Sequence, residues 1–151
     1  MKGFAKTQFI FSFKTLEQHP MNNTTKQYSI GEKVILPNGE VAPLSKAYRS
    51  HDLLFLSGAL PFEIDGSLSS EGIEHQTTLC LEQLAVTLAL EGLTRNNLIK
   101  LTIWLTDKNN FTGFNSSYVR FFGQHRPARS TVQSELMLPG ALVEIEAIAA
   151  Y

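Results

Sequence analysis

The sequence predicts a single α+β domain, a mixed β-sheet carrying two helices on one face. Three observations predict it. Residues 72–91 and 111–124 place apolar side chains at the helical period, six short runs around them read as strands, and the resulting order is βββ-α-β-α-ββ. A chain of 151 residues, 43% hydrophobic and 18% charged, is long enough for one real core and too short for two. With both helices on one face, the other sheet face needs a cover, and packing against further subunits is the simplest one.

The elements follow in order. Lys33-Val34-Ile35-Leu36 reads as a first strand closed by the turn Pro37-Asn38-Gly39, and Ser45 to Arg49 as a second. Leu53-Leu54-Phe55-Leu56-Ser57 is nearly all apolar, as in a central strand covered on both faces, and Gly58 ends it. Asp65-Gly66 marks a later turn. The first helix carries Ile73, Cys80, Leu81, Leu84 and Leu88, with a slip at Thr77; Glu71 and Glu74 suit its N-terminal dipole and Gly92 its C-cap. Ile99 to Leu105 alternates as a strand. In the second helix Phe114, Tyr118, Phe121 and Phe122 form an apolar side, read as core rather than as a binding stripe. Strands over Ser130–Ser134 and Leu142–Ala149 close the chain.

Residues 1–30 stand apart as an N-terminal extension, phenylalanine-rich at first and then polar without periodicity, expected to be flexible, with a packed N-terminal strand or helix as the alternative because exposed phenylalanines are costly. Residues 31–151 form the domain, and Met21 is an alternative start. A formal net charge of −1 and the lack of a Lys/Arg run argue against nucleic acid or an anionic membrane as partner. No apolar run is long enough to cross a bilayer. The single cysteine, Cys80, suits a reducing compartment, read as the cytoplasm, and a small buried apolar role.

Familiar catalytic signatures are missing. There is no Gly-rich phosphate loop, no Gly-x-Ser-x-Gly elbow around Ser57 and no His pair at metal spacing, so no metal is expected. His19, His51, His75 and His125 are scattered, the last two near helix ends where a surface role is expected. What remains is a binding site with one base. Arg129, in the turn Arg126-Pro127-Ala128-Arg129, follows a proline that stiffens its approach, and its guanidinium suits a carboxylate. In the last strand Val143, Ile145 and Ala147 point one way and Glu144 and Glu146 the other: a solvated face, or a base holding water if Glu144 is partly buried. Asn115, among aromatics, is either exposed or partnered; Ser57 either donates into a pocket or bonds backbone at Gly58.

Several runs resemble the RidA/YjgF family: Leu54-Phe55-Leu56-Ser57-Gly58-Ala59-Leu60-Pro61, Gly92-Leu93-Thr94 through Lys100, Leu105-Thr106-Asp107, Asn115 with Tyr118 and Phe121-Phe122, Pro127-Ala128-Arg129-Ser130-Thr131-Val132, and Pro139 to Ala149. The resemblance spans Val41 to Tyr151 in order, and the Pro-Ala-Arg-Ser run followed by Glu144 is its most specific part. It implies a chorismate-mutase-like fold and a homotrimer with active sites between subunits. It also implies cofactor-free hydrolysis of enamine/imine intermediates, such as 2-iminopropanoate and 2-iminobutanoate, to 2-keto acids and ammonia. By the same resemblance Arg129 binds the substrate carboxylate, Glu144 positions the water, and Ser57, Asn115 and Thr131 line the pocket. Two positions depart from the pattern. Leu44 stands where the family has a pocket tyrosine, and Ala59 where glutamine is common after Ser-Gly. Members without deaminase activity keep open a second reading, a binding or protein-interaction trimer. A third, a nuclease or translation inhibitor, fits poorly with the charge of −1.

Overall fold

Alternation along the strands decides the architecture, because a strand whose every second residue is apolar can bury only one face. The computed structural model describes residues 27–35 and 39–151. It runs β1 (Gln27–Ile30), β2 (Ala47–Ser50), β3 (Leu53–Ala59), α1 (Ile73–Ala89), β4 (Leu98–Leu105), α2 (Phe111–Phe122), β5 (Ala128–Gln133) and β6 (Val143–Ala150). One mixed sheet has the order β1-β2-β3-β6-β4-β5, antiparallel throughout except for the parallel pair β4–β5.

One sheet face is the core. Leu54 and Leu56 of β3, Leu101, Ile103 and Leu105 of β4, and Val143, Ile145, Ala147 and Ala149 of β6 are buried in one cluster with both helices. From α1 come Cys80, Leu81, Leu84 and Leu88, and from α2 Phe114, Tyr118 and Phe122. Phe114, Tyr118 and Phe122 of the aromatic stripe are therefore core, as the period predicts, while Phe121 packs against it partly buried. Phe114 is fully buried, and truncating it to alanine should cost about 3–5 kcal/mol. Gly123, at φ 60°, ends α2 in a conformation that other residues adopt only with strain. The slip at Thr77 lies beside Gln76, whose buried amide donates to Ser69 O, Glu71 O and Gly140 O and accepts from Leu142 N. That polar plug ties the start of α1 to the loop entering β6.

Among the described residues nothing covers the other, bare face. Tyr48 (46% exposed), Phe55 (42%) and Val132 (47%) point away from the helices, and Trp104, Glu144 and Ile148 are half-buried there. Register aligns them in two rows across the sheet, Tyr48–Phe55–Ile148 and Val132–Trp104–Glu144. Among the described residues β3 is covered on one face and not on both as expected: of its residues Leu54, Leu56 and Ala59 are buried. An apolar run records that both faces avoid water without saying that one chain supplies both covers.

Other expectations shift. The first described strand is Gln27–Ile30, not Lys33–Leu36; Ile30 reaches the core, whereas Ile35 makes only an isolated bridge to Val41. The last four residues of the expected extension 1–30 are thus strand, and the rest of it, like Leu36-Pro37-Asn38, lies outside the described residues. Arg129 is not in a turn. Pairing with β4 begins at Ala128, so Arg129 is the second residue of an edge strand, where Pro127 just ahead costs no ladder hydrogen bond.

Candidate functional site

Arg129 is positioned by strand parity. It lies in register with the buried Leu101, so it leans toward the helices. Its Nη1 donates to Asn115 Oδ1 at 2.8 Å. Its guanidinium carbon lies 4.9 Å from the Tyr118 ring centroid, 5.4 Å from Phe114 and 5.7 Å from Phe111. Cation–π contacts of this kind contribute about 0.5–1 kcal/mol each at exposed sites and hold the plane in one orientation. Among the described residues no carboxylate pairs with Arg129, and its Nε and Nη2 have no hydrogen-bond partner. That free edge fits a planar carboxylate. A cavity of about 310 Å³ adjoins it, lined also by Asn115, Arg126 and Pro127. Thr131, two residues along β5, shares this face; its hydroxyl is buried without a partner.

Glu144 belongs to a different place. It pairs with Trp104, on the bare face. A Cβ added to Gly58 would lie 2.1 Å from Glu144 Oε1, so the carboxylate rests directly on the glycine backbone where β3 bulges between Leu56 and Ala59. Partial burial pushes the Glu144 carboxyl above its ordinary range, and the Glu146 charge adds to the rise. A carboxyl so placed is a stronger base than a free one. Ser57 Oγ donates to Ser45 O at 2.7 Å, tying β3 to the segment before β2, so its hydroxyl bonds backbone, though not at Gly58 as the sequence allowed. Ser57 also borders a shallow cavity of about 380 Å³ with Ser45, Tyr48, Phe55 and Glu146. Leu44, just before Ser45, is exposed.

The pairing of Arg129 with Glu144 expected from the sequence is not made within one chain. β4 separates their strands, their register partners Leu101 and Trp104 are three residues apart, and they face opposite sides of the sheet. The structure gathers Arg129, Asn115 and Thr131 at the α2 edge, and Ser57 and Glu144 on the bare face. An odd spacing along β4 reverses the face, and that offset exists only once β5 and β6 have paired with β4, so the sequence carried no signal of it. Gly58, as the seat of Glu144, and Arg126, on the Arg129 cavity, are functional candidates that sequence reasoning passed over. Arg126 lies three residues before Arg129 in the run already singled out.

The histidines divide. His75 is exposed beside Glu63, its Nε2 3.0 Å from Oε1. His125 is not a surface group as expected: its Nε2 lies 2.7 Å from Leu98 O and its ring packs on Phe122, fixing the end of α2 to β4. Cys80 is fully buried and burial pushes its thiol up, which makes it a poor nucleophile. Among the described residues no helix is long and apolar enough to cross a membrane.

Comparison with known proteins shows the family. The model of the family described as Endoribonuclease L-PSP matches residues 38–151. A RutC family protein of Pyrococcus horikoshii is 34% identical over 110 residues, 72% of this chain and 87% of that protein. Reactive Intermediate Deaminase A, chloroplastic, of Arabidopsis thaliana is 36% identical over 110 residues, 72% of this chain and 59% of that one. The crystal structure of Escherichia coli TdcF with bound serine superposes with a TM-score of 0.69 at 30% identity, covering 80% of this chain and 99% of that one. With its mixed sheet, two helices and the Pro127-Ala128-Arg129-Ser130 strand in place, the chain belongs to the RidA/YjgF family.

Proposed function

We propose that this protein is a hydrolytic deaminase of 2-imino and enamine acids, working as a homotrimer whose sites form between copies. The observation that carries the reading is Arg129, a guanidinium locked by Asn115 and three aromatic rings with its remaining donor edge unpaired. Such a group recognises a planar carboxylate, the feature common to 2-imino acids, and E. coli TdcF holds an amino acid, serine. Covering the bare face with a second copy is the way to bring an Arg129 and a Glu144 to one ligand. Chorismate-mutase-like trimers are organised in this manner, and the two exposed rows on the sheet supply the apolar contact.

The chemistry asks little of the protein. Water held by Glu144 adds its oxygen to the C=N carbon while the carboxylate takes one water proton and passes it to the imine nitrogen, giving the carbinolamine. The carboxylate then takes the hydroxyl proton and passes it to the same nitrogen as the C–N bond breaks, so ammonia leaves and the 2-keto acid is formed. Imines are already electrophilic, so orientation supplies much of the acceleration and Glu144 as base roughly a further 10²-fold. Substrates of the size of 2-iminopropanoate and 2-iminobutanoate suit the reading, with Ser57 and Thr131 on the walls. Nothing in the step calls for a cofactor.

Ligand binding without turnover is the second reading, and Leu44 favours it, since it offers no hydroxyl where the family pattern has tyrosine. The family description names an endoribonuclease, but a net charge of −1 gives no general attraction for a polyanion. A cytoplasmic location stays part of the proposal, because relatives include proteins named chloroplastic and mitochondrial.

The test is an amino-acid oxidase generating 2-imino acids in the presence of semicarbazide. Wild type should suppress semicarbazone formation and Arg129→Ala should not. Failure of wild type across several amino acids would turn the assignment to ligand binding.

A further inference from the structure

The cavity beside Arg129 carries a second guanidinium that the proposed reaction does not use. Arg126 and Arg129 line the same space, and the rest of its lining is Asn115, Tyr118 and the apolar Val119, Phe122 and Pro127, with no carboxylate. Arg126 is held in place rather than free. Its Nη1 donates to Gly123 O and to His125 O (2.8 Å for the latter), a clasp over the C-terminal end of α2. Neither its Nε nor its Nη2 has a partner among the described residues, and no ion pair neutralises it. Both arginines also act on one phenol, since their charges oppose the rise that burial imposes on the Tyr118 hydroxyl. Two like charges on one small cavity repel, and an anionic occupant relieves that repulsion.

We infer that the site prefers short dicarboxylic 2-imino acids, with Arg129 taking the carboxylate next to the imine and Arg126 the distal one. This inference rests on the deaminase reading and names its substrate class. A dicarboxylic acid has the required pattern, two planar anions joined by methylenes, against two forked cations with apolar residues completing the wall. A monocarboxylic substrate leaves Arg126 uncompensated. Helix clasping alone does not account for the arrangement, because it uses one nitrogen of Arg126 and leaves the rest of the fork on the cavity.

The experiment compares 2-iminosuccinate with 2-iminopropanoate, generated by amino-acid oxidases from aspartate and alanine, in the semicarbazone assay on the full chain. Wild type should show the higher kcat/KM for the dicarboxylate. That preference should fall by about tenfold in Arg126→Gln and be largely kept in Arg126→Lys, because a charged hydrogen bond is lost in the first and retained in the second. Calorimetry with succinate and propionate, which do not react, reads the same preference without turnover. Equal handling of both imines by wild type overturns the inference while the deaminase reading stands. So does an Arg126→Gln loss that is the same for both substrates, or one that appears as failed assembly; Arg126 then serves only α2 or a subunit contact. Should wild type hydrolyse neither imine, the deaminase reading falls. Succinate binding no tighter than propionate would then overturn the inference as well.

Discussion

The two halves of the candidate site solve different physical problems. At the α2 edge, Arg129 is exposed yet oriented, because an amide and three rings fix its guanidinium. On the bare face, Glu144 is half-buried and its carboxyl is pushed up, because the strand beside it and Gly58 beneath remove water from one side. Recognition needs a permanent charge and tolerates solvent, whereas a base gains from losing it. Separating the two on opposite faces of one sheet prevents a salt bridge within the chain that would neutralise both. The difference teaches that the two groups are held apart within one chain, and on the proposed reading a second copy completes the site.

The largest effect should come from breaking the halves separately and mixing them. Arg129→Ala and Glu144→Gln should each lower kcat/KM by about a hundredfold, the first through binding and the second through turnover with binding kept. If the site forms between copies, co-refolding the two inactive variants in equal amounts should restore about a quarter of wild-type activity, since a site needs one intact half from each neighbour. No recovery would mean that the halves meet in some other way.

A somewhat smaller effect is expected at Gly58, which has an ordinary φ and so loses only space in Gly58→Ala. The new methyl must displace Glu144, which should cut turnover by roughly tenfold or more with little change in melting temperature. A fall in stability instead would show that Gly58 serves the β3 bulge.

Glu146 sharpens the comparison through pH. Its charge helps raise the Glu144 carboxyl, so Glu146→Gln should lower that value. On the proposed mechanism the ionised carboxylate is the base, so activity should fall as pH drops through the Glu144 value, and in the variant this acidic limb should move to lower pH. For stability the sign is opposite. A carboxyl raised by folding favours the folded state below its ordinary range, near 4.5, and that contribution is lost as pH rises through the raised value. An unmoved limb in the pH–rate profile would show that Glu144 is not the titrating base.

The smallest effect is at Tyr118, whose buried hydroxyl has no partner. Tyr118→Phe should change the unfolding free energy by no more than about 1 kcal/mol, measured by denaturant titration, because the ring packing is kept and an unpaired polar atom is removed.

Much of this was legible in the residues. The aromatic stripe of α2, the alternation of Val143 to Ala147 against Glu144 and Glu146, and the apolar run of β3 depend on local spacing, which the chain carries wherever it folds. The edge strand Gln27–Ile30 was missed because its only buried residue is Ile30, and four residues show no period until β2 pairs with them. The placement of Arg129 in β5 rather than in a turn follows from parallel pairing with β4, a contact between segments that sequence spacing does not record.

From its sequence alone the chain determined two helices with an apolar side, strands that alternate (Val143 to Ala147) or run nearly all apolar (Leu53 to Leu56), and the presence of a guanidinium at Arg129 and a carboxylate at Glu144. Tertiary structure alone decided that these two groups stand on opposite faces, that Gly58 seats Glu144, and that Arg126 joins Arg129 on one cavity. The physical reason is that side-chain identity and period are local, while strand register and face parity are fixed only when distant strands pair and one face is committed to the core.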